Sequence, residues 1–302
     1  MTNNTDMAQA LAGGYLLADT TIRKFSGFIK DKAASEEVTA RAGATHNAAK
    51  VQKDLLAGAR AELKEVGATQ AAIRQFLYTQ TLPWNSSSDG TGRGPRLLSA
   101  AKSIEFLKQF KVMHTAYVVA LDSFLNVYGA RRAQAMQNLG SLANPDDYPD
   151  LNDIASMFAV DLDLSPVPAP TDFDRLAVPA ALSESLGNII AKKQNQAMEN
   201  AMNDLSDRIV VELKRMAVQL GKKAAGEKTQ LYATLLTNME SLTSLLRSSN
   251  FANDTKLDEL ADRLGECTKH DIETLKAHPE VAGEVAKVAV QITSDIEDDL
   301  YF

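Results

Sequence analysis

The sequence predicts a mainly α-helical fold built from long helices, with a short N-terminal β-hairpin as an addition, and not an OB-fold. Apolar residues recur at spacings of three, four and seven through residues 96–139 and again through residues 180–220. Each stretch is long enough for one long helix, and the first could also form two stacked helices. With 302 residues and a hydrophobic share of 45%, the chain can bury a sizeable core.

The shorter elements follow from capping and breaker residues. Residues 35–65 and 68–78 are rich in alanine and predict helices, whereas Thr20-Thr21-Ile22 followed by Ser26-Gly27 suits a strand and a turn. Gly221 is a plausible C-cap for the helix over 180–220. Three more helices are predicted toward the end of the chain, over residues 227–248, 254–270 and 279–294. Asp254 can cap the second of these helices, and Pro279 suits the first turn of the third.

The predicted organisation has four parts, divided by composition. Residues 144–179 are rich in Pro and Asp, and Tyr148, Phe158 and Phe173 give this stretch anchors, so we expect a structured acidic connector. It follows a mostly helical N-terminal part, residues 1–143, which contains a loop from Trp84 to Arg96. A C-terminal helical part, residues 180–294, comes after the connector. Residues 295–302 form an acidic tail that ends on aromatics.

Charge is segregated along the chain although the net charge is −7. Residues 92–135 and 205–228 are locally basic, whereas residues 144–184 and the C-terminal end are acidic. The net charge argues against a generic polyanion binder. A chain organised in this way can nevertheless hold a basic groove while remaining acidic overall.

No catalytic apparatus is predicted. Cys267 is the only cysteine, which excludes an intramolecular disulfide and a multi-cysteine zinc site, and the histidines lack ligand spacing. The glycines at 90–94 lack the Lys-Ser or Lys-Thr of a phosphate-binding loop. We therefore expect a protein that is not an enzyme and has no cofactor or metal. The sequence also lacks a signal peptide and a membrane span, so we expect a soluble, intracellular protein without a membrane partner.

The candidate nucleic-acid-binding residues come from the glycine-rich loop and from basic clusters. Single strands are held by base stacking on aromatics, with cations along the phosphates, and this loop supplies both. Core anchoring is the alternative for its tryptophan, and a solvated helix face is the alternative for each lysine cluster. The candidates are Trp84, Arg93, Arg96, Lys102, Arg131, Arg132, Lys214, Arg215, Lys222 and Lys223.

The last five residues are a candidate partner-binding tail. The tail consists of Asp298, Asp299, Leu300, Tyr301 and Phe302. Its aromatic side chains can enter an apolar pocket on a partner, while its carboxylates form ion pairs with Arg or Lys of that partner. A tail that only solubilises needs charge alone. The alternative is a final helical turn whose aromatics fold back onto the core.

Several motifs together resemble an uncharacterised family of helical proteins from phages and plasmids. The resemblance rests on this ordered set: Thr81-Leu82-Pro83-Trp84, Arg96-Leu97-Leu98, Asn144-Pro145-Asp146-Asp147-Tyr148-Pro149 and Pro166-Val167-Pro168. With the acidic aromatic tail, the chain is similar to phage single-stranded DNA-binding cofactors of a phage-encoded RNA polymerase, the Drc type. This implies a helical fold, single-stranded DNA binding and recruitment of the phage RNA polymerase to melted promoters in the cytoplasm of an infected bacterium. It identifies no contact residues.

The same family suggests an alternative function from a different class. The chain could be a helical adaptor or scaffold for an AAA-type ATPase, without direct DNA binding. The basic stretches would then contact protein, and the long apolar stripes would be seams between subunits, which leaves a homo-oligomer open.

Overall fold

The computed structural model describes residues 11–45, 48–84, 94–175, 179–250 and 254–298, and the protein is mainly helical, as the sequence predicts. The described strands form a four-stranded sheet and a two-stranded sheet and build no OB-fold. The chain forms two compact units, each assembled from separate stretches. The first unit comprises Met1–Asp19, Gln75–Leu107 and Asp163–Phe302, and the second comprises Thr20–Arg74 and Lys108–Leu162.

The described strands and helices alternate in the first half of the chain, and helices dominate the second half. The strands are β1 (Tyr15–Arg23), β2 (Phe28–Asp31), β3 (Val51–Asp54), β4 (Leu82–Pro83), β5 (Arg96–Ser99) and β6 (Ala159–Pro166). The helices are α1 (Lys32–Arg41), α2 (Ala61–Gln80), α3 (Ser103–Leu139), α4 (Leu151–Ser156), α5 (Ala180–Ala224), α6 (Thr234–Ser249), α7 (Thr255–Cys267), α8 (Ile272–Ala277) and α9 (Pro279–Glu297). None of the helices in the described segments combines the length and the apolar composition needed to cross a membrane.

The core of the first unit is built on α5. The predicted apolar stripe of this helix is buried from Leu205 through Ile209 and Leu213 to Leu220, at helical spacing, whereas its first members, Leu182 and Ile189, are exposed. Helix α9 lies along α5, and α6 and α7 pack against each other beside it. Tyr15, Leu82 and Leu97 add strand residues to the same core. The four-stranded sheet has the order β4-β5-β1-β6, and β5 pairs antiparallel with β1 and with β4.

Helix α5 continues past the predicted cap at Gly221. It ends at Ala224, and Gly226 adopts the left-handed conformation with a φ of 75°. The amide of Glu227 donates to the carbonyl of Lys222 at 3.0 Å, and that of Gly226 donates to Lys223 at 3.1 Å. These two bonds form a Schellman motif, which satisfies the last carbonyls of the helix. The cap prediction was wrong because a glycine inside a helix with favourable packing does not end it.

The core of the second unit is aromatic and lies along α3. Phe124 packs edge-on against Phe158 and tilted against Tyr128, each at 5.7 Å between ring centroids. The Tyr128 hydroxyl donates to the carbonyl of Pro149 at 2.9 Å. Tyr148 and Phe158 are buried, as expected of anchors in the connector, and Phe173 is half-buried in the first unit.

The predicted helix over residues 35–65 is wrong between α1 and α2. The intervening segment contains β3, which pairs antiparallel with β2 so that Phe28 lies opposite Asp54. Together they form the two-stranded sheet, which we call the hairpin below although α1 separates its two strands. The short N-terminal β-hairpin that the sequence predicts within residues 15–28 corresponds to the region of β1 and β2. The Asp54 carboxylate then accepts from the amide of Leu56 at 3.0 Å and turns the chain. Strand pairing therefore overrides the helix propensity of this alanine-rich segment. In the same way, residues 96–99 form β5, so α3 begins at Ser103 and not at Arg96.

Candidate nucleic-acid interface

The tryptophan of the predicted binding loop packs onto the first unit. Trp84 is half-buried against the hydrophobic core of that unit, where the alternative interpretation places it. Arg93 and the rest of residues 85–93 lie outside the described residues. The structure therefore describes only the two ends of this loop.

Arg96 is engaged at the C-terminal end of α2. Its Nε donates to the Thr81 hydroxyl at 2.7 Å and its Nη2 donates to the Thr81 carbonyl at 2.9 Å. Arg208, from α5, donates to the Tyr78 carbonyl at 2.7 Å. Carbonyls at the end of a helix have no helical partner, so these two arginines satisfy them and complement the helix dipole.

The same two arginines flank one aromatic ring. The guanidinium carbon of Arg208 lies 3.6 Å from the centroid of Tyr78, and that of Arg96 lies 5.4 Å away. Asp204 pairs with Arg208 at 2.5 Å. Burial, and next the positive charge of Arg208, lower the pKa of Arg96 to about 10. Only 8% of Arg96 is exposed, so this predicted DNA contact serves to join β5, α2 and α5.

Three other predicted cations are bound to neighbouring groups. Lys102 donates to the Ser244 carbonyl at 2.8 Å, within the first unit. In the second unit Arg131 makes two bonds to the Glu62 carboxylate, one of them at 2.9 Å, and this hydrogen bonding lowers the pKa of Glu62. Arg132 donates to a backbone carbonyl at 3.1 Å. Lys102 is therefore engaged within the first unit, and Arg131 and Arg132 are engaged within the second.

The basic cluster at the end of α5 is partly open. Lys214 pairs with Glu297 at 2.6 Å, and Arg215 lies 3.4 Å from Glu212. Lys222 is exposed and Lys223 half-buried, and neither side chain has a hydrogen-bond or ion-pair partner within the described segments. Arg215 and Lys222 are seven residues apart and therefore share a helix face. A role of this cluster in DNA contact stays a prediction.

The described part of the acidic tail belongs to α9. Asp295 pairs with Arg263 at 2.6 Å, and Ile296 is buried. Hydrogen bonding to Arg263 lowers the pKa of Asp295. Asp298 follows the last helical residue and is exposed. The other residues of the predicted tail, Asp299, Leu300, Tyr301 and Phe302, lie outside the described residues.

A stronger candidate surface lies on the N-terminal hairpin of the second unit. On β2, Phe28 is 51% exposed, and Lys30, two residues further along the strand, points to the same face. Lys24, Lys32 and Lys50 are exposed near the two ends of the hairpin. In the part of the chain that the structure describes, the side chains of these four lysines have no hydrogen-bond or ion-pair partner. We call this set, Lys24, Phe28, Lys30, Lys32 and Lys50, the hairpin surface.

The opposite face of the hairpin is attached to the second unit. Lys53 on β3 pairs with Asp147 at 2.5 Å and lies 3.6 Å from Asp31. The hydrogen bond to Asp147 raises the pKa of Lys53. On the face that carries Phe28, the guanidinium carbon of Arg60 lies 4.3 Å from the Phe28 centroid, and Arg60 also pairs with Asp54, which lies opposite Phe28 in the strand pair. Arg60 therefore covers part of the Phe28 ring, while Phe28 is still 51% exposed and Lys30 is open to solvent.

A cleft of about 710 Å³ adjoins the hairpin surface. Lys30 and Lys32 line it together with the hydroxyl-bearing Ser35, Thr39 and Thr45. Glu36 is the acidic residue that lines it. The cleft thus combines two free cations with hydroxyl groups, which is chemistry suited to a phosphodiester.

The sequence contained a signal for the hairpin surface that charge counting over longer stretches missed. Arg23-Lys24 and Lys30-Asp31-Lys32 bracket Phe28, and Asp31 is the single acidic residue of that segment. Asp31 is engaged as the N-cap of α1, where it accepts from the amide of Ala34 at 2.9 Å. A basic run that contains two aromatics, Phe25 and Phe28, and whose single acid can cap the following helix is the signal that identifies the surface.

Comparison with known proteins identifies no family or function for this chain. No protein-family model, curated protein or solved structure matches the chain. Within the described segments, no three His, Cys, Asp or Glu side chains come together as metal ligands do. Cys267 is buried, and burial raises its pKa to about 11. A thiol with that pKa is a weak nucleophile at neutral pH.

Proposed function

We propose that the protein is a non-enzymatic single-stranded DNA-binding protein of a phage, acting as a transcription cofactor that recruits the phage RNA polymerase to melted promoters. The observation that carries the DNA-binding part is the hairpin surface, where an exposed aromatic ring lies on the same strand face as a free lysine. Stacking of a base on an aromatic ring contributes about 1–3 kcal/mol, and lysines supply the phosphate contacts.

The chemistry of the hairpin surface favours single strands. A base can stack on Phe28 only when it has left the duplex, whereas Lys24, Lys30, Lys32 and Lys50 can follow the phosphates of any strand. The second unit has slightly more Lys and Arg than Asp and Glu, while the first unit has a clear excess of acids. This difference directs a polyanion toward the second unit.

Fluorescence anisotropy with labelled oligonucleotides tests the DNA-binding proposal. We expect binding to single strands that weakens with salt, with a slope of about −0.7 per phosphate contact in a double-logarithmic plot, because bound cations release counterions. Duplex DNA of the same sequence should bind more weakly, and polyglutamate is the control for charge alone. Equal affinity for all three polymers, or none for single strands, contradicts the proposal.

Recruitment of the polymerase is proposed for the acidic aromatic tail. Deletion of residues 298–302 is expected to abolish pull-down of the phage RNA polymerase while leaving oligonucleotide affinity unchanged or slightly higher, because an acidic tail competes with DNA for cations. Replacing Tyr301 and Phe302 by alanine separates the aromatic contribution from the charge. A melting temperature that falls after the deletion would instead indicate that these residues pack onto the fold.

The alternative is a helical adaptor for an AAA-type ATPase that does not bind DNA directly. Exposed valines on α3, among them Val112 and Val119, favour a protein contact. Stimulation of the ATPase by the purified protein in the absence of DNA would support the adaptor. Salt-sensitive oligonucleotide binding without any effect on the ATPase would reject it.

A further inference from the structure

Helix α3 carries a second apolar face that the core of the second unit does not use. The core side of this helix contains Phe110, Tyr117 and Phe124, which are buried. On the outer side Val112 is 71% exposed and Val119 is 61% exposed. These two valines flank Thr115 and Ala116, which are also exposed, at spacings that keep all four on one side of the helix. We call residues 108–122 on this side the outer face of α3.

The centre of the outer face contains no unsatisfied hydroxyl group. The Thr115 hydroxyl donates to the carbonyl of Lys111 at 2.9 Å, one helical turn earlier. The Ser123 hydroxyl, at the far end, donates to the carbonyl of Val119 at 2.9 Å. Burial of this centre against another apolar surface would therefore leave no side-chain donor without an acceptor.

The two ends of the outer face carry opposite charges. Lys108 and Lys111 lie at its start, and Asp122 lies at its end. All three are exposed, and none of these side chains has an ion-pair or hydrogen-bond partner among the residues that the structure describes. A helix face with an apolar centre, a basic start and an acidic end is complementary to itself when it is reversed.

We propose that the outer face of α3 is the interface of a homodimer in which two copies of the helix pack antiparallel, with the twofold axis near Thr115. Antiparallel packing brings Lys108 and Lys111 of each copy toward Asp122 of the other, and the twofold symmetry forms this contact twice. Parallel packing would instead place like charges beside each other. The valines then meet at the centre, where a symmetric interface is most fully desolvated.

The outer side of α5 also exposes valines, but the charged residues between them make it unsuitable for self-association. Val211 and Val218 are also exposed there and have the same seven-residue spacing as Val112 and Val119. The residues between them include Lys214 and Arg215. Lys214 pairs with Glu297 and Arg215 lies 3.4 Å from Glu212, so two copies of that face would bury ion pairs at the centre, and their desolvation opposes association. Self-association is therefore assigned to α3.

The size of the outer face predicts a reversible dimer. Fifteen helical residues span about 22 Å, so a single helix pair buries an area at the low end of specific interfaces, roughly 1,200 Å² or less. We expect dimer formation to depend on protein concentration. This inference is independent of DNA binding, although a dimer would present two hairpin surfaces to one strand and raise the apparent affinity.

Charge reversal tests the dimer by sedimentation equilibrium of the full chain. Lys108→Glu with Lys111→Glu is expected to weaken dimerisation at least tenfold, and so is Asp122→Lys alone. The variant with all three changes should recover most of the lost affinity, because each new pair is again complementary. Val218→Glu on α5 is the matched control and should leave the dimer unchanged. Circular dichroism spectra like that of the unchanged protein verify folding.

Cysteine cross-linking tests the antiparallel geometry. Thr115→Cys lies near the proposed axis and should form an intermolecular disulfide under mild oxidation, whereas Cys267 is buried. Lys108→Cys should not, because antiparallel packing separates its two copies by about 20 Å along the helix. Cross-linking of both variants to the same extent would indicate parallel packing and overturn the proposal. A monomer at every concentration would also overturn it.

Discussion

Replacing Phe28 by alanine together with Lys30 and Lys32 by glutamine is expected to weaken binding to single-stranded oligonucleotides by about 100-fold at low salt. Loss of one stacked base accounts for about 1–3 kcal/mol, and loss of two phosphate contacts adds to it. The double-logarithmic salt slope should fall in magnitude by about 1.4, which is 0.7 for each lost contact. Anisotropy titrations at several salt concentrations measure both quantities.

The control for this variant is a matched aromatic and lysine on the first unit. Tyr232 and Lys228 are both exposed, so Tyr232→Ala with Lys228→Gln removes the same kinds of group without changing the hairpin surface. We expect its affinity and salt slope to equal those of the unchanged protein. If the control loses affinity and the hairpin variant does not, the DNA lies on the first unit, where the basic cluster at the end of α5 is the next candidate.

Replacing Arg208 by methionine is expected to lower the free energy of unfolding by about 3–5 kcal/mol. The guanidinium of Arg208 pairs with Asp204, donates to the carbonyl at the end of α2 and covers the ring of Tyr78. Burial raises the pKa of Asp204, and Arg208 counteracts that rise. Methionine leaves the Asp204 carboxylate without its nearest cation. Urea denaturation at neutral pH, followed by circular dichroism, measures the loss.

A double variant separates loss of the ion pair from loss of packing. Arg208→Met combined with Asp204→Leu removes both charges, and we expect it to be less destabilising than Arg208→Met alone. Lys192→Met, at an exposed position of the same helix, should change stability by no more than about 0.5 kcal/mol. Equal destabilisation by the single and the double variant would show that the packing of the guanidinium, and not the ion pair, stabilises this region.

The long helices could be predicted from the sequence because their signal is local. Leu205, Ile209, Leu213 and Leu220 repeat at helical spacing, and this repeat alone identifies the buried side of α5. The segment from residue 42 to residue 60 could not be predicted in this way. Its alanines favour a helix, and β3 exists only because β2 is available to pair with it. Likewise, β5 was read as the start of a helix, although its neighbours in the sheet include residues 15–18.

At the candidate site, too, some features could be predicted from the sequence and others depended on tertiary contacts. The sequence shows which stretches are rich in cations, but it does not show which cations remain free. Arg131 is bound by Glu62, a residue far away in the chain, and Arg96 is buried beneath Tyr78. Lys30 and Lys32, in a short basic run outside the two long basic stretches, remain open to solvent.

The sequence by itself determined the helical class of this protein, its principal buried stripe and the alternation of basic and acidic stretches. Tertiary structure alone decided where the strands pair and which charged side chains are engaged in ion pairs or hydrogen bonds within the fold. The physical reason is range: helix periodicity is set by neighbours within a few residues, whereas an ion pair such as that of Lys53 with Asp147 forms only after distant segments have met.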